Sequence, residues 1–370
     1  METVTEVCTL VGAVFLRLIF MVVVPLIVSA LMLGVYELGK GRGLGRVAAR
    51  SLVYTLALSA IAVLVAVAST TLLRPGDGFD MGKVSAMAGQ SVLSIQENVR
   101  SVAGKPWYQY IVDLLPQNPL DSAVRAFQGE IVALMVFSLV FGYALSLTVR
   151  EEDHPFIKVL SALFDTSLKV IDFALMLAPF AVFCIVFNTA YRLGGGFLQN
   201  VAYYAGVVVL GLAFQQFVVY GLFLKIFART SPFHFFNQCR EVYLYAFSTA
   251  SSNATLPVAL ETAERTLNIP PKIARFVLTI GASANQNGTA LFEGVTVLFL
   301  AQVYGIDLSL GAQVLVVLMS VLAGVGTAGV PGGSLPLIVV VLVQVGIPPE
   351  GIGLILGVDR FLDMCRTTLN

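Results

Sequence analysis

The chain has 370 residues, of which 57% are hydrophobic and only 12% are charged, and its mean hydropathy is +0.87. Roughly 25% of the residues of an ordinary soluble domain are charged, so this composition excludes a typical soluble fold and predicts an integral membrane protein. Lys and Arg together number 22, as do Asp and Glu. This balance gives no basic excess for binding nucleic acid, and no nucleic-acid partner is expected.

Apolar runs of about 20 residues, the length that crosses a bilayer, follow one another along the chain. They predict an all-α protein with helices near 10–38, 47–73, 130–147, 163–187, 201–227, 273–303 and 351–370. The basic connection that contains Lys40, Arg42 and Arg50 is expected on the cytoplasmic side. The connection 75–120 is then extracellular, and the protein is a multi-pass protein of the cell (plasma or inner) membrane.

The cysteines and histidines give no indication of a metal site or a disulfide. The four cysteines show no paired spacing and the two histidines are far apart in sequence, whereas structural zinc sites need closely spaced ligands. We therefore expect neither a metal cofactor nor any other bound cofactor.

Two apolar runs in the last third of the chain are interrupted by small and polar residues. The run 242–260 breaks at Ser251, Ser252 and Asn253, and the run 310–345 breaks over 324–333. Exposed backbone at membrane depth must be buried in protein or line a cavity, and free N–H groups at a half-helix start favour an anion. Two such breaks, each followed by a polar helix, indicate a transporter binding site. The alternative is that these are ordinary helices kinked by Gly and Pro. That explanation accounts for one break more easily than for two.

The last helix carries its polar residues on one face. Asp359, Asp363, Arg366 and Asn370 are spaced i, i+4, i+7 and i+11. One charge at the bilayer centre costs about 2.5–3.5 kcal/mol, so three charges need partners or a function. Arg366 fits a carboxylate and Asp363 fits an ammonium group, which together describe a zwitterion with an extra acid group. A purely structural Asp363–Arg366 ion pair is the alternative.

Four motifs resemble the signatures of the dicarboxylate/amino acid:cation symporter family, which includes the excitatory amino acid transporters. They are SSNATLP at 251–257, NQNGT at 285–289, GTAGVPG at 326–332 and DRFLDMCRTTLN at 359–370. The segments 15–27 and 115–120 also resemble that family, so the likeness covers nearly the whole chain.

The resemblance implies a glutamate-transporter-like fold with eight transmembrane helices, two re-entrant helical hairpins and inverted repeats. It also implies a homotrimer in which a transport domain moves like an elevator. The first helices would lie in 1–73, and the extracellular connection with further scaffold and transport helices in 74–228. The transport core, 229–370, would hold hairpin 1 (231–267), the polar helix (270–304), hairpin 2 (309–346) and the last helix (348–370). Compared with the family, the chain lacks the first helix and the end of the last one, as a fragment would.

The resemblance also assigns the site. Thr289 and Arg366 would hold the side-chain carboxylate of the substrate, Asp363 its amino group, and Asn370 the region of the main-chain carboxylate or a nearby cation. The full set of expected substrate-binding residues is Ser251, Ser252, Asn253, Thr289, Val330, Gly332, Asp363, Arg366, Thr367 and Asn370. The weaker expectation of a cation site rests on Ser59, Asn285, Asn287, Asn370 and Thr327.

Several positions depart from the family pattern. Most members have Asn-Met-Asp-Gly-Thr at the positions of 285–289, whereas this chain has Gln286 in place of the Met and Asn287 in place of the Asp. A carboxylate that helps to bind sodium is therefore replaced by an amide. Thr55 and Leu58 occupy the positions at which the family has the Tyr and Thr ligands of the same sodium ion. We therefore expect sodium coupling to be weakened or lost at one site at least, with Na⁺ or H⁺ as the coupling ion.

The sequence thus predicts a secondary active transporter of aspartate or glutamate, not an enzyme. A C4-dicarboxylate carrier would not need the acid at Asp363, and a neutral amino acid carrier would have little use for Arg366. An anion-conducting channel lined by Arg17 and Arg360 is a further alternative. An intramembrane aspartyl protease is disfavoured, because Asp359 and Asp363 lie on one helix.

Overall fold

The computed structural model describes residues 2–39, 45–78, 112, 115–128, 130–149, 154–193, 196–327 and 329–370. Over these ranges the chain is helical and contains no strand, as the all-α prediction required. Lys40, Arg42 and most of the predicted extracellular connection lie outside the described residues.

Up to residue 228, the described chain consists mainly of long apolar helices. Their bounds are α1 Glu2–Phe20, α2 Val23–Gly39, α3 Gly45–Leu73, a short α4 Pro119–Val124, α5 Ile131–Thr148, α6 Pro155–Leu193 and α7 Gly196–Ala228. Five stretches of the described chain are long and apolar enough to cross a membrane: Thr5–Tyr36, Ala49–Leu73, Ile131–Thr148, Pro155–Tyr191 and Gly196–Ala228. The chain is therefore a multi-pass membrane protein.

From residue 232 onward, the described chain consists of shorter helices separated by breaks. They are α8 Pro232–Gln238, α9 Arg240–Thr249, α10 Ser252–Glu261, α11 Pro271–Ala284, α12 Asn287–Val303, α13 Leu310–Gly326, α14 Leu335–Gln344 and α15 Leu356–Leu369. A 3₁₀ turn, Pro349–Leu354, precedes α15. Helix α7 contains π turns at Gln215–Val219 and Leu224–Ala228, and a third π turn, Thr262–Thr266, follows α10.

Two of the predicted helices are not continuous. The run predicted over 10–38 breaks at Met21 and Val22, because Pro25 lacks an N–H group and its ring would clash with the carbonyl group of Met21. The polar helix predicted over 270–304 breaks between α11 and α12. In a continuous helix the backbone N–H of Gln286 would donate to the Ala282 carbonyl. Here the Gln286 side chain donates to that carbonyl instead (2.7 Å). The backbone N–H of Gln286 donates to the Gly324 carbonyl (3.3 Å).

Helix α12 is the centre of the structure. Every residue of α12 except Gln302 is buried, and the helix packs against α3, α13 and α15. A helix that is buried all round has no lipid-facing side. The site residues at the start of α12 are therefore enclosed by protein.

Close helix contacts in the first half depend on glycine. A Cβ atom at Gly142 of α5 would lie 2.8 Å from the Met32 carbonyl oxygen and 2.9 Å from the Met32 Cα atom of α2. Backbone atoms cannot move aside as a flexible side chain can. The α2–α5 pair therefore needs glycine at this position.

We expect Gly142→Ala to lower the free energy of unfolding by about 1–3 kcal/mol, the usual cost of overpacking. Gly206→Ala is the matched control, since a Cβ atom at Gly206 of α7 would meet nothing within 4 Å. That change should stabilise the helix by about 0.5–1 kcal/mol. Thermal unfolding of the two variants in detergent measures the difference, and equal melting temperatures would contradict the packing argument.

Candidate functional site

A buried cluster of three charges lies on α15. Arg366, Asp359 and Asp363 are 1%, 7% and 5% exposed. The Arg366 Nη1 group donates to Asp359 Oδ1 (3.0 Å), and Nε donates to Asp363 Oδ1 (3.0 Å). The guanidinium also lies over the Phe292 ring, with its central carbon 4.2 Å from the ring centroid. The buried part of the cluster thus contains one cation and two carboxylates, and the exposed Arg360 Nη1 group lies 3.9 Å from Asp363 Oδ2. Charges in such a site are costly unless paired.

The two broken runs meet each other beside this cluster. The Ser251 hydroxyl and the Asn253 backbone N–H both donate to the Gly329 carbonyl, at 2.9 and 3.0 Å. A Cβ atom at Gly329 would lie 2.6 Å from the Ala282 carbonyl oxygen, so this close approach requires glycine. The contact joins the beginning of α10 to the break between α13 and α14.

The second break also touches the charge cluster. Gly332 has a positive φ of 72°, which favours glycine, and its backbone N–H donates to Asp363 Oδ2 (2.9 Å). Both oxygens of Asp363 are therefore hydrogen-bonded, one to the backbone of the break and one to Arg366. This arrangement couples the conformation of the break to the charges on α15.

The break between α11 and α12 is held by amide side chains. Asn370 Oδ1 accepts from the Gly288 N–H (2.7 Å), while its Nδ2 group donates to Gln286 Oε1 (2.5 Å) and Thr289 Oγ1 (3.2 Å). The Gln286 Nε2 group in turn lies 3.4 Å from the Ser252 hydroxyl. Amide groups therefore link the end of α15, the start of α12 and the first broken run.

A small cavity lies where these elements meet. Most of the expected substrate-binding residues line it: Ser252, Thr289, Val330, Asp363, Arg366, Thr367 and Asn370. Ser251, Asn253 and Gly332 lie beside it, through the contacts described above. Charged and polar side chains form most of its lining, which suits a small polar solute.

The residues of the expected cation site are used in different ways. The Ser59 hydroxyl donates to Asn287 Oδ1 (2.5 Å), and the Asn287 Nδ2 group donates to the Tyr220 hydroxyl (2.8 Å). Thr327 lines the cavity and donates to the Ala323 carbonyl (2.7 Å). Asn285 Oδ1 is buried without a hydrogen-bond partner in the described part of the chain. Asn370 belongs to the amide network around the cavity.

Three residues of the site had no expected role from sequence. Tyr220 reaches Asn287 from a helix far away in sequence. Glu293 of α12 is fully buried, and neither carboxyl oxygen has a hydrogen-bond partner among the described residues. The hydroxyl group of Ser334 lacks a partner there too. A lone Glu in an apolar helix was the one signal that could have been recognised from sequence alone.

No group of three or more His, Cys, Asp or Glu side chains that could hold a metal ion occurs in the described ranges. The site instead consists of one guanidinium, two carboxylates, amides and hydroxyls around a small cavity. These groups have the charges and hydrogen-bonding capacity to bind a charged solute. Together with the membrane-spanning helices, they are typical of a membrane transporter.

Comparison with known proteins identifies the family. The chain belongs to the sodium:dicarboxylate symporter family, whose model matches residues 1–370. It is 32% identical to the proton/sodium-glutamate symport protein of Bacillus subtilis, over 97% of this chain and 82% of the relative. It is also 32% identical to the proton/glutamate-aspartate symporter of Escherichia coli (97% and 81%) and 30% identical to the C4-dicarboxylate transport protein of Rhodospirillum rubrum (97% and 78%). The protein is therefore a symporter of the cell membrane.

Replacing Arg366 with Met should lower the free energy of unfolding by about 3–5 kcal/mol, because the buried Asp359 and Asp363 would lose the guanidinium that donates to both. Changing both aspartates to Asn in the same protein should recover most of this loss. The measurement is thermal or denaturant unfolding in detergent.

The matched control is Arg265→Met, which breaks the exposed pair with Glu261 (2.6 Å). Exposed pairs contribute at most about 1 kcal/mol. If Arg366→Met were no more destabilising than this control, the buried charges would not depend on one another.

Proposed function

We propose that this symporter carries acidic amino acids, L-aspartate or L-glutamate, across the membrane. The observation that carries the proposal is the cluster of Arg366 and Asp363 at the wall of a small cavity. An acidic amino acid has two carboxylates and one ammonium group. The cavity offers a guanidinium, a carboxylate and several neutral donors in the same small volume, which complements that charge pattern.

In the proposed binding mode, Arg366 and the Thr289 hydroxyl hold the side-chain carboxylate of the substrate. Asp363 accepts from its ammonium group, and Asn370 and the backbone of the broken runs receive the main-chain carboxylate. Burial strengthens each of these charged hydrogen bonds, because little water competes for them. The names of two relatives, both glutamate carriers, support the same substrate class.

A plain C4-dicarboxylate is the second candidate, since one relative is a C4-dicarboxylate transport protein. Such a substrate has no ammonium group to pair with Asp363. Its second carboxylate would instead face a carboxylate on α15, which is unfavourable. The buried Asp363 therefore favours the amino acid.

The two broken runs are proposed to be the tips of re-entrant hairpins, one at Ser251–Asn253 and the other at Gly324–Gly332. Their supporting feature is that both breaks are satisfied by protein groups, including Gly329 and Asp363, as irregular backbone at membrane depth must be. A homotrimer with an elevator-like transport domain is the remaining part of the proposal and rests on family membership.

Sodium coupling is proposed to be lost at the site around Asn287. A hard cation needs free oxygen ligands and benefits from a carboxylate. Here the oxygen of Asn287 already accepts from Ser59 and its nitrogen donates to Tyr220. The network satisfies this amide without a cation.

Proton coupling through Glu293 is proposed in its place. The carboxyl group is enclosed in α12, with no hydrogen-bond partner for either oxygen in the described chain. A buried carboxylate without a partner pays its full desolvation cost, and taking up a proton removes that cost. The change Glu293→Gln keeps the shape but cannot bind or release the proton.

Calorimetry with the purified protein tests the substrate and the ion together. L-Aspartate should bind with equal affinity in sodium chloride and in choline chloride, and more tightly than succinate. The variant Asp363→Asn should reduce this preference for L-aspartate by about tenfold or more, because a hydrogen bond to a charged group contributes about 1.5–3 kcal/mol. Tighter binding of succinate by the unmodified protein would favour the C4-dicarboxylate reading.

Asn287→Asp should make L-aspartate binding sodium-dependent, because it restores a carboxylate beside Ser59. Asn188→Asp is the matched control, as Asn188 contacts Thr5 and Thr9 on α1 and does not line the cavity. The control should bind equally in both salts. Sodium dependence that is already present in the unmodified protein would show that other ligands form the ion site.

Glu293→Gln should remove the pH dependence of L-aspartate uptake into proteoliposomes, while binding of L-aspartate persists. Uptake by the unmodified protein in choline chloride should rise when a proton gradient is directed inward. An unchanged pH profile in the variant would rule out Glu293 as the coupling group.

A further inference from the structure

Ser334 places an unused hydroxyl group at the wall of the substrate cavity. Its side chain is 2% exposed, and Oγ has no hydrogen-bond partner within the described residues. The residue lines the same cavity as Asp363 and Arg366. Buried hydroxyl groups in proteins are normally paired, so this exception requires an explanation.

Local backbone geometry explains why the hydroxyl is not used for helix capping. Ser334 directly precedes α14, where a serine side chain ordinarily accepts from the second or third N–H group of the helix. The second position is Pro336, which has no N–H group, and the N–H of Leu337 already donates to the Ser334 carbonyl (3.0 Å). The backbone of Ser334 is also helical (φ −83°, ψ −23°) rather than extended. The helix backbone therefore does not use this hydroxyl group.

We propose that Ser334 is a substrate-binding residue whose hydroxyl donates to a carboxylate of the bound substrate. Two of the donor groups of Arg366 already serve Asp359 and Asp363. A carboxylate that binds beside this guanidinium benefits from an additional donor, and Ser334 is an unpaired one on the cavity wall. The inference rests on the proposed function in one respect, namely that the substrate carries a carboxylate.

The proposal predicts opposite effects of one change on stability and on affinity. In the empty protein the hydroxyl is buried and unpaired, so Ser334→Ala should leave the melting temperature unchanged or raise it. In the complex the same change removes a hydrogen bond to a charged group. The dissociation constant for L-aspartate should then rise about 10- to 100-fold.

A second buried serine provides the matched control. Ser320 of α13 is fully buried and its Oγ also lacks a partner in the described structure, but it does not line the cavity. Ser320→Ala should affect the melting temperature in the same direction as Ser334→Ala. It should leave the affinity for L-aspartate unchanged.

The experiment is calorimetry with L-aspartate and with succinate on the full chain and both variants, with melting temperatures measured without ligand. A selective loss of affinity in Ser334→Ala supports the assignment. Equal affinities in the two variants, or a lowered melting temperature of ligand-free Ser334→Ala alone, would overturn it.

Failure of the proposed function gives a different result. If the unmodified protein binds succinate but not L-aspartate, the amino acid substrate is wrong. The comparison with succinate then still tests Ser334, because succinate also carries carboxylates. A protein that binds neither compound would overturn both proposals.

Discussion

The buried ion pairs of Arg366 are the interaction on which the rest of the site depends. A guanidinium inside a membrane protein needs counter-charges, and Asp359 and Asp363 supply them from its own helix. Asp363 also receives the Gly332 N–H, and Gly332 belongs to the break that meets Ser251 through Gly329. One charge cluster thereby fixes the position of both broken runs and leaves a small cavity between them. Binding of a charged solute there would alter hydrogen bonds in each of these elements.

Amide side chains have an equally specific role at the start of α12. Gln286 and Asn287 stand where a Met and an acid are usual in the family that the sequence resembles, and the side chains of both are hydrogen-bonded to other protein groups. Gln286 connects the Ala282 carbonyl to Asn370, and Asn287 connects Ser59 to Tyr220. An amide side chain both donates and accepts hydrogen bonds, so it can link a donor group to an acceptor group. A bound cation, in contrast, would hold such groups together only by coordinating their oxygen atoms. The proposed change of coupling ion follows from this property.

Much of the fold could be predicted from the sequence, because membrane-spanning helices are recognised by long apolar runs. The spacing of Asp359, Asp363 and Arg366 likewise predicted one charged face. The break at Gln286 was missed because it depends on Gly324, whose carbonyl comes from another helix. Tyr220 was missed for the same reason, as its contact with Asn287 joins residues 67 positions apart. Ser334 needed the structure because only the backbone geometry shows that its hydroxyl is unused.

Arg366 and Asp363 are proposed to bind groups of opposite charge in one acidic amino acid. A cryo-electron microscopy structure of the protein with L-aspartate tests this proposal most directly. Ligand density is expected in the cavity between the two broken runs, with a carboxylate at Arg366 and the ammonium group at Asp363. Density elsewhere, or a ligand in this cavity with its ammonium group away from Asp363, would show that this binding mode is wrong.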